Sequence, residues 1–179
     1  MKRLFPVVKQ HTTAAEVRRL VGSEFWREAA RAVPVRNPWD TLVSDYEWFR
    51  TGRLERSEPL ALDWNQWLEQ VLQPGQGPGG LSPAQHRLFY PYLMVDGQWI
   101  ADHMIFFEAI EDSLKQLGKA LDIAMPSFEA AGIHEKKNRK RRDYRSYFSD
   151  AQAERVAEHF RTMLARAPYD FDAPDRPPT

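Results

Sequence analysis

VRNPWDTLVSDY, residues 35–46, joins a short apolar run to an amphipathic helix in a single step. Upstream of the join, Ala32–Val35 reads as a brief buried strand. Asn37 carries the side-chain oxygen that a helix N-cap needs. Pro38 suits the first helical position, where no N–H is required. The helix is expected to run to about Arg50 and to stop at Gly52, with Trp39, Leu42, Val43, Tyr46 and Phe49 at helical spacing. Ligands of open α/β sheets gather at the carboxyl ends of strands, and the amides and dipole of a helix start favour an anion. Arg36 adds a guanidinium fork suited to phosphate, and Ser44, eight residues on, adds a hydroxyl. The same residues also permit a plainer arrangement. Arg36 then pairs with Asp40 or Glu47, and Ser44 is a small residue in a packed helix.

Working outward, Thr13 with Glu16 forms a capping-box pattern for a first helix that Gly22 should stop. A second short helix is expected over Glu24–Arg31. Asp63 is placed to cap a helix through Leu72, with Trp64, Trp67, Leu68 and Val71 on one face. Ser82-Pro83 looks like another helix start. Tyr92–Val95 and Gln98–Ala101, separated by Asp96-Gly97, read as a hairpin with a tight turn. The apolar run Trp99–Phe107 is expected to enter a buried strand, and Glu108–Leu121 to form a helix. Ser149, three residues before Gln152, opens a last helix with the stripe Ala153, Val156, Ala157, Phe160 and Leu164. Helices dominate, with two or three short strands between them, which predicts an α/β fold with a small, mostly parallel sheet.

The chain has 179 residues, enough for one domain with a real core. Its 25 basic and 25 acidic side chains cancel, so bulk charge gives no support to a general nucleic-acid or membrane-surface role. There is no cysteine, which removes disulfides, thiolate nucleophiles and cysteine-ligated zinc. The apolar stretch near the N-terminus is broken by Pro6 and Lys9 and is too short for a signal or a span, so a cytoplasmic protein is expected. The proline-rich tail 173–179 is expected to be disordered beyond a single domain over 1–172.

VRNPWDTLVSDY resembles the 3′-phosphate-binding segment of sulfotransferases that use 3′-phosphoadenosine 5′-phosphosulfate (PAPS), especially carbohydrate-type and bacterial ones. In that segment an arginine at a strand end and a serine eight residues later hold the nucleotide's 3′-phosphate. Three further stretches are similar to the same family. They are Lys9–Gly22, Trp99–Ile123 with its Asp102 and Glu108, and His134–Asp150 with the following helix and Tyr169-Asp170-Phe171. The resemblance implies a P-loop NTPase-like three-layer sulfotransferase fold. It implies PAPS as co-substrate and sulfuryl transfer to a hydroxyl of a carbohydrate-like acceptor, with no metal. Arg36 and Ser44 would hold the 3′-phosphate. His11, just before the first helix, would be the catalytic base, and Arg142 and Arg145 would meet anionic charge. Two departures stand out. The family's opening strand and loop for the 5′-phosphosulfate have no counterpart, since PGQGPGG at 74–80 comes late and lacks Lys, Ser and Thr. An N-terminally truncated, partial domain is therefore expected. Ile105-Phe106 also stands where the family often has Gly-Arg.

The other histidines read differently. His103 is expected in the core or at an edge, His159 in solvent, and His86 on a helix facing the acceptor. No pair has the spacing of a zinc site, and no GxSxG elbow is present. The run Lys136–Arg142, followed by Tyr144 and Arg145, admits three readings: a solvated loop, a contact to nucleotide or acceptor, and a nucleic-acid surface. Two alternatives thus stand beside the transferase. One is an inactive remnant serving as a nucleotide-binding or interaction module. The other is a nucleic-acid-associated protein using residues 136–142. The tryptophans and the few strands leave room for an interface between copies.

Overall fold

The computed structural model of the chain describes residues 12–51, 61–75, 82–84, 89–128, 130 and 143–173. Helix α1 (Ala14–Val21) starts with the expected capping box. The Glu16 carboxylate accepts from the Thr13 N–H at 2.8 Å, and Thr13 Oγ1 accepts from the Glu16 N–H at 3.3 Å. Gly22 stops it at φ +82°, a left-handed value that a side chain would resist. Helix α2 (Ser23–Glu28) ends earlier than expected, with Ala29 already extended. The cause lies across the fold. Asp102 forks onto the Arg31 guanidinium with two 2.7 Å bonds and also accepts from the Arg31 N–H at 2.9 Å, which draws residues 29–31 out of helix.

Strand β1 (Ala32–Val35) follows. Only Val35 is buried; Val33 is half-buried, and Ala32 and Pro34 are exposed. The brief strand stands where it is expected, but it is buried on one face only. Val33 and Val35 face the core, and the alternate positions point away from it. Helix α3 (Pro38–Arg50) starts at Asn37, whose side chain accepts from the Asp40 N–H. Its expected stripe is inward, with Trp39, Leu42, Val43 and Tyr46 buried. Helix α4 (Trp64–Leu72) has a second capping box, Asp63 with Gln66, and lays Trp67, Leu68 and Leu72 against α3 in one core.

After the short helix α5 (Tyr90–Leu93), β2 (Met94–Val95) and β3 (Gln98–Trp99) make an antiparallel hairpin at the expected turn but with shorter arms than expected, since Tyr92 and Leu93 are helical and Ile100 and Ala101 lie beyond β3. Asp96 and Gly97 both have positive φ, 53° and 74°, as a type I′ turn demands. The expected strand over Trp99–Phe107 is broken. The Ile100 N–H returns to the Leu93 carbonyl, and β4 (His103–Phe106) begins only after the Asp102 and His103 N–H groups have met the Arg31 carbonyl. Strand β4 pairs parallel with β1, Ala32 opposite His103 and Val35 opposite Phe106. A 3-10 turn at Phe107–Ala109 then leads into α6 (Ile110–Leu121), so the helix starts two residues later than expected.

Ser149 and Gln152 cap α7 (Asp150–His159) as expected. The helix does not continue to Leu164. It breaks at Phe160 (φ −103°, ψ 17°), and a separate short helix, α8 (Arg161–Leu164), follows and buries Met163. The result is a helix-rich α/β arrangement with a small parallel sheet. Among the described residues, no helix is long and apolar enough to cross a membrane.

Candidate functional site

The register of the parallel pair determines what meets at its carboxyl end. Val35 lies opposite Phe106, so the next residues of the two strands, Arg36 and Phe107, emerge side by side. The Arg36 guanidinium lies 4.7 Å from the centre of the Phe107 ring, which is 52 % exposed. Arg36 also holds Asp40, one turn into α3. Its Nε donates to Asp40 Oδ2 at 2.8 Å, and a second guanidinium N–H donates to the same oxygen. The arginine at the strand end is thus ion-paired within the chain, as the plainer sequence reading allowed.

The first turn of α3 has its donors largely assigned. The Asn37 N–H donates to Glu108 Oε1 at 2.8 Å, Pro38 has none, the Asp40 N–H goes to Asn37 Oδ1, and the Thr41 N–H goes to the Asn37 carbonyl. An anion arriving here meets the helix dipole and Arg36, not a cradle of open amides. Arg36 precedes the helix, one residue before its N-cap Asn37, while Asp40 and Ser44 lie one turn apart on α3, about 6 Å along its axis.

A buried polar network backs the site. Glu108 Oε2 accepts from the Tyr169 hydroxyl at 2.8 Å. The Asn37 side-chain amide donates to the Tyr144 hydroxyl at 3.3 Å, which donates in turn to the Phe171 carbonyl at 2.7 Å. Burial pushes the Tyr144 phenol up to about 12, although the hydrogen bond from Asn37 opposes the shift. Tyr169 is pushed higher still, first by burial and then by the Glu108 charge and hydrogen bond. Both phenols therefore stay protonated at neutral pH and serve as fixed donors. Sequence reading quoted Glu108 and Tyr169 without assigning them a role. Their joint task, fastening the β4 turn and the C-terminal segment to the start of α3, has no periodic trace in the sequence.

Of the other expected site residues, Arg145 lies in the 3-10 turn Tyr144–Tyr147, beside the network. Its guanidinium is turned onto Asp143, with Nε at 2.9 Å, and onto the Asp172 carbonyl at 3.3 Å. His11, Arg142, His86, His134 and the rest of the basic run lie outside the described residues. His103 sits half-buried on β4 opposite Ala32, as expected for an edge residue. Asp102 belongs to the Arg31 fork, whose hydrogen bonds hold its carboxyl below the usual carboxylate range. Among the described residues no group of His, Asp and Glu could hold a metal ion.

His159 is not the solvent-facing residue expected. Its Nε2 lies 2.5 Å from Oγ of Ser82, which is fully buried, and its ring meets the edge of Phe160. It opens on one side into a cleft of about 520 Å³ that Arg155, Glu158 and Arg161 also line. Burial lowers its pKa, and the Arg155 charge adds to this. The unfolded chain, with an ordinary histidine near 6.5, then binds the proton more readily than the folded one. The stability that neutral His159 supports is complete above that value and is lost as the pH falls through the lowered folded value. Urea midpoints at pH 7.5 and pH 5.5 should therefore drop more for the wild type than for His159→Gln. Equal drops would show that this ring is not the group responsible.

No protein-family model matches the chain, and neither does any curated protein or solved structure.

Proposed function

We propose that this chain is a sulfotransferase-type domain that binds the 3′-phosphate of PAPS at Arg36 and takes part in sulfuryl transfer to a carbohydrate-like hydroxyl. The observation that carries the reading is the position of Arg36. It stands at the carboxyl end of a parallel strand, immediately before the start of α3, with its guanidinium already gripping an oxyanion. The resemblance of VRNPWDTLVSDY to the 3′-phosphate segment of PAPS-dependent enzymes supports the same role, with Ser44 as the second contact. A P-loop NTPase-like three-layer fold belongs to this proposal.

In the transfer, the acceptor oxygen forms a bond to sulfur while the bond from sulfur to the bridging phosphate oxygen breaks, and adenosine 3′,5′-bisphosphate leaves. The acceptor proton needs a base, for which His11 is proposed. The charge growing on the leaving phosphate needs cations, for which Arg142 and Arg145 are proposed. Arg145 must first let go of Asp143.

The test is calorimetric titration with adenosine 3′,5′-bisphosphate. A charge-assisted fork on phosphate is worth about 1.5–3 kcal/mol, so Arg36→Ala should weaken binding roughly 10- to 100-fold. Adenosine 5′-monophosphate, which lacks the 3′-phosphate, should not distinguish the two proteins. Equal affinity of wild type and Arg36→Ala for the bisphosphate would sink the assignment.

A further inference from the structure

The seat at Arg36 is not empty. Two of the guanidinium donors are spent on Asp40, a carboxylate in the first turn of α3. An incoming anion must therefore displace an internal competitor. That competitor is tethered one turn away and is present at a high effective concentration. A ligand with a single negative charge offers Arg36 no more than Asp40 already does. A phosphate monoester, whose second ionisation lies near 6, carries close to two charges at neutral pH and gains by the exchange.

The guanidinium does not have to reorganise when its partner changes. The exposed Phe107 ring supports it from one side at 4.7 Å. The 3-10 turn carrying that ring is fastened through Glu108 to the Asn37 N–H and the Tyr169 hydroxyl. Among the described residues Tyr169 also faces Arg36, and it stays neutral, so it does not compete for the charge.

We propose that Asp40 makes this seat an exchange site selective for phosphate monoester dianions, with Phe107 as the positioning residue that holds Arg36 while the anion replaces the carboxylate. The proposal rests on the 3′-phosphate reading above and adds the charge class of the ligand and the means of choosing it.

The test compares 3′-AMP with its methyl phosphodiester, which keeps the adenosine but has one charge fewer. Wild type should prefer the monoester by about tenfold or more. Asp40→Asn should tighten the diester several-fold and narrow the preference to roughly threefold or less. Asp40→Ala provides the same reading should the asparagine side chain find a partner of its own. Phe107→Ala should weaken both ligands about fivefold and leave the preference intact, with Phe107→Tyr restoring the loss. A preference unchanged in both Asp40 variants overturns the exchange while leaving Arg36-dependent binding standing. If 3′-AMP binds wild type no better than Arg36→Ala, the 3′-phosphate reading falls and the exchange falls with it.

Discussion

Replacing Glu108 by alanine is expected to destabilise the chain by roughly 2–5 kcal/mol, because it strips partners from two buried donors at once. Asn37 is 1 % exposed and its N–H points at Glu108 Oε1; Tyr169 is 6 % exposed and its hydroxyl points at Oε2. Neither group can turn to water without opening the packing around it, and each unsatisfied donor costs about 1–3 kcal/mol. The loss also reaches the site. With the carboxylate gone, the turn under Phe107 and the start of α3 are no longer fastened together, and Arg36-dependent anion binding should weaken in the protein that remains folded. Glu108→Gln should be milder. Its amide oxygen can accept from the Asn37 N–H, and the Tyr169 hydroxyl can rotate to accept from the new NH₂ group. A midpoint change in urea worth less than about 1 kcal/mol for Glu108→Ala would show that the network is not structural in the way described.

The parts of this architecture that were legible in the sequence are those written in neighbouring residues. Thr13 with Glu16, Asp63 with Gln66, and Ser149 with Gln152 all form the capping boxes their spacing predicts. Asn37 and Pro38 open α3 in the expected register, and Asp96-Gly97 makes the expected turn. Each of these is a contact across one to three residues, where local chemistry and backbone geometry leave few choices. What sequence reading missed is polar contact over long separations. Glu108 reaches Asn37 across 71 residues and Tyr169 across 61, and His159 meets Ser82 across 77. Such pairs follow no period, so an exposed histidine was expected where a half-buried one stands. The early end of α2 has the same origin, because Asp102 pulls Arg31 into extended backbone from 71 residues away. At the site itself, Arg36 was found by its place in a strand–helix join. Its pairing with Asp40 was anticipated as an alternative, while the Phe107 ring beneath it follows only from the register of β1 against β4.

The core makes the other large prediction. Phe160→Ala should cost about 3–5 kcal/mol, the usual range for emptying a buried phenylalanine site. Phe160 is fully buried and meets the Phe89 ring edge-on, with centroids 5.4 Å apart, so it joins the C-terminal helices to the segment that leads into α5. It is also the residue at which α7 gives way to α8. Its N–H still closes the last turn of α7 on the Val156 carbonyl, while its own carbonyl accepts from the N–H groups of Met163 and Leu164. Those backbone bonds survive truncation to alanine, so the loss should come from the cavity and the missing ring contacts, not from an unravelled helix. Two consequences separate this residue from Glu108. The urea midpoint should fall with an unchanged slope, because the surface exposed on unfolding hardly alters. The affinity of the folded fraction for adenosine 3′,5′-bisphosphate should also stay within about twofold of wild type, since the hydrogen bonds of Arg36 and of the Glu108 network run through other residues. Phe160→Leu, which refills most of the space, should recover more than half of the lost stability. A destabilisation below about 1 kcal/mol for the alanine variant would mean that the surrounding core closes over the gap, and that the break at Phe160 is set by backbone bonding alone.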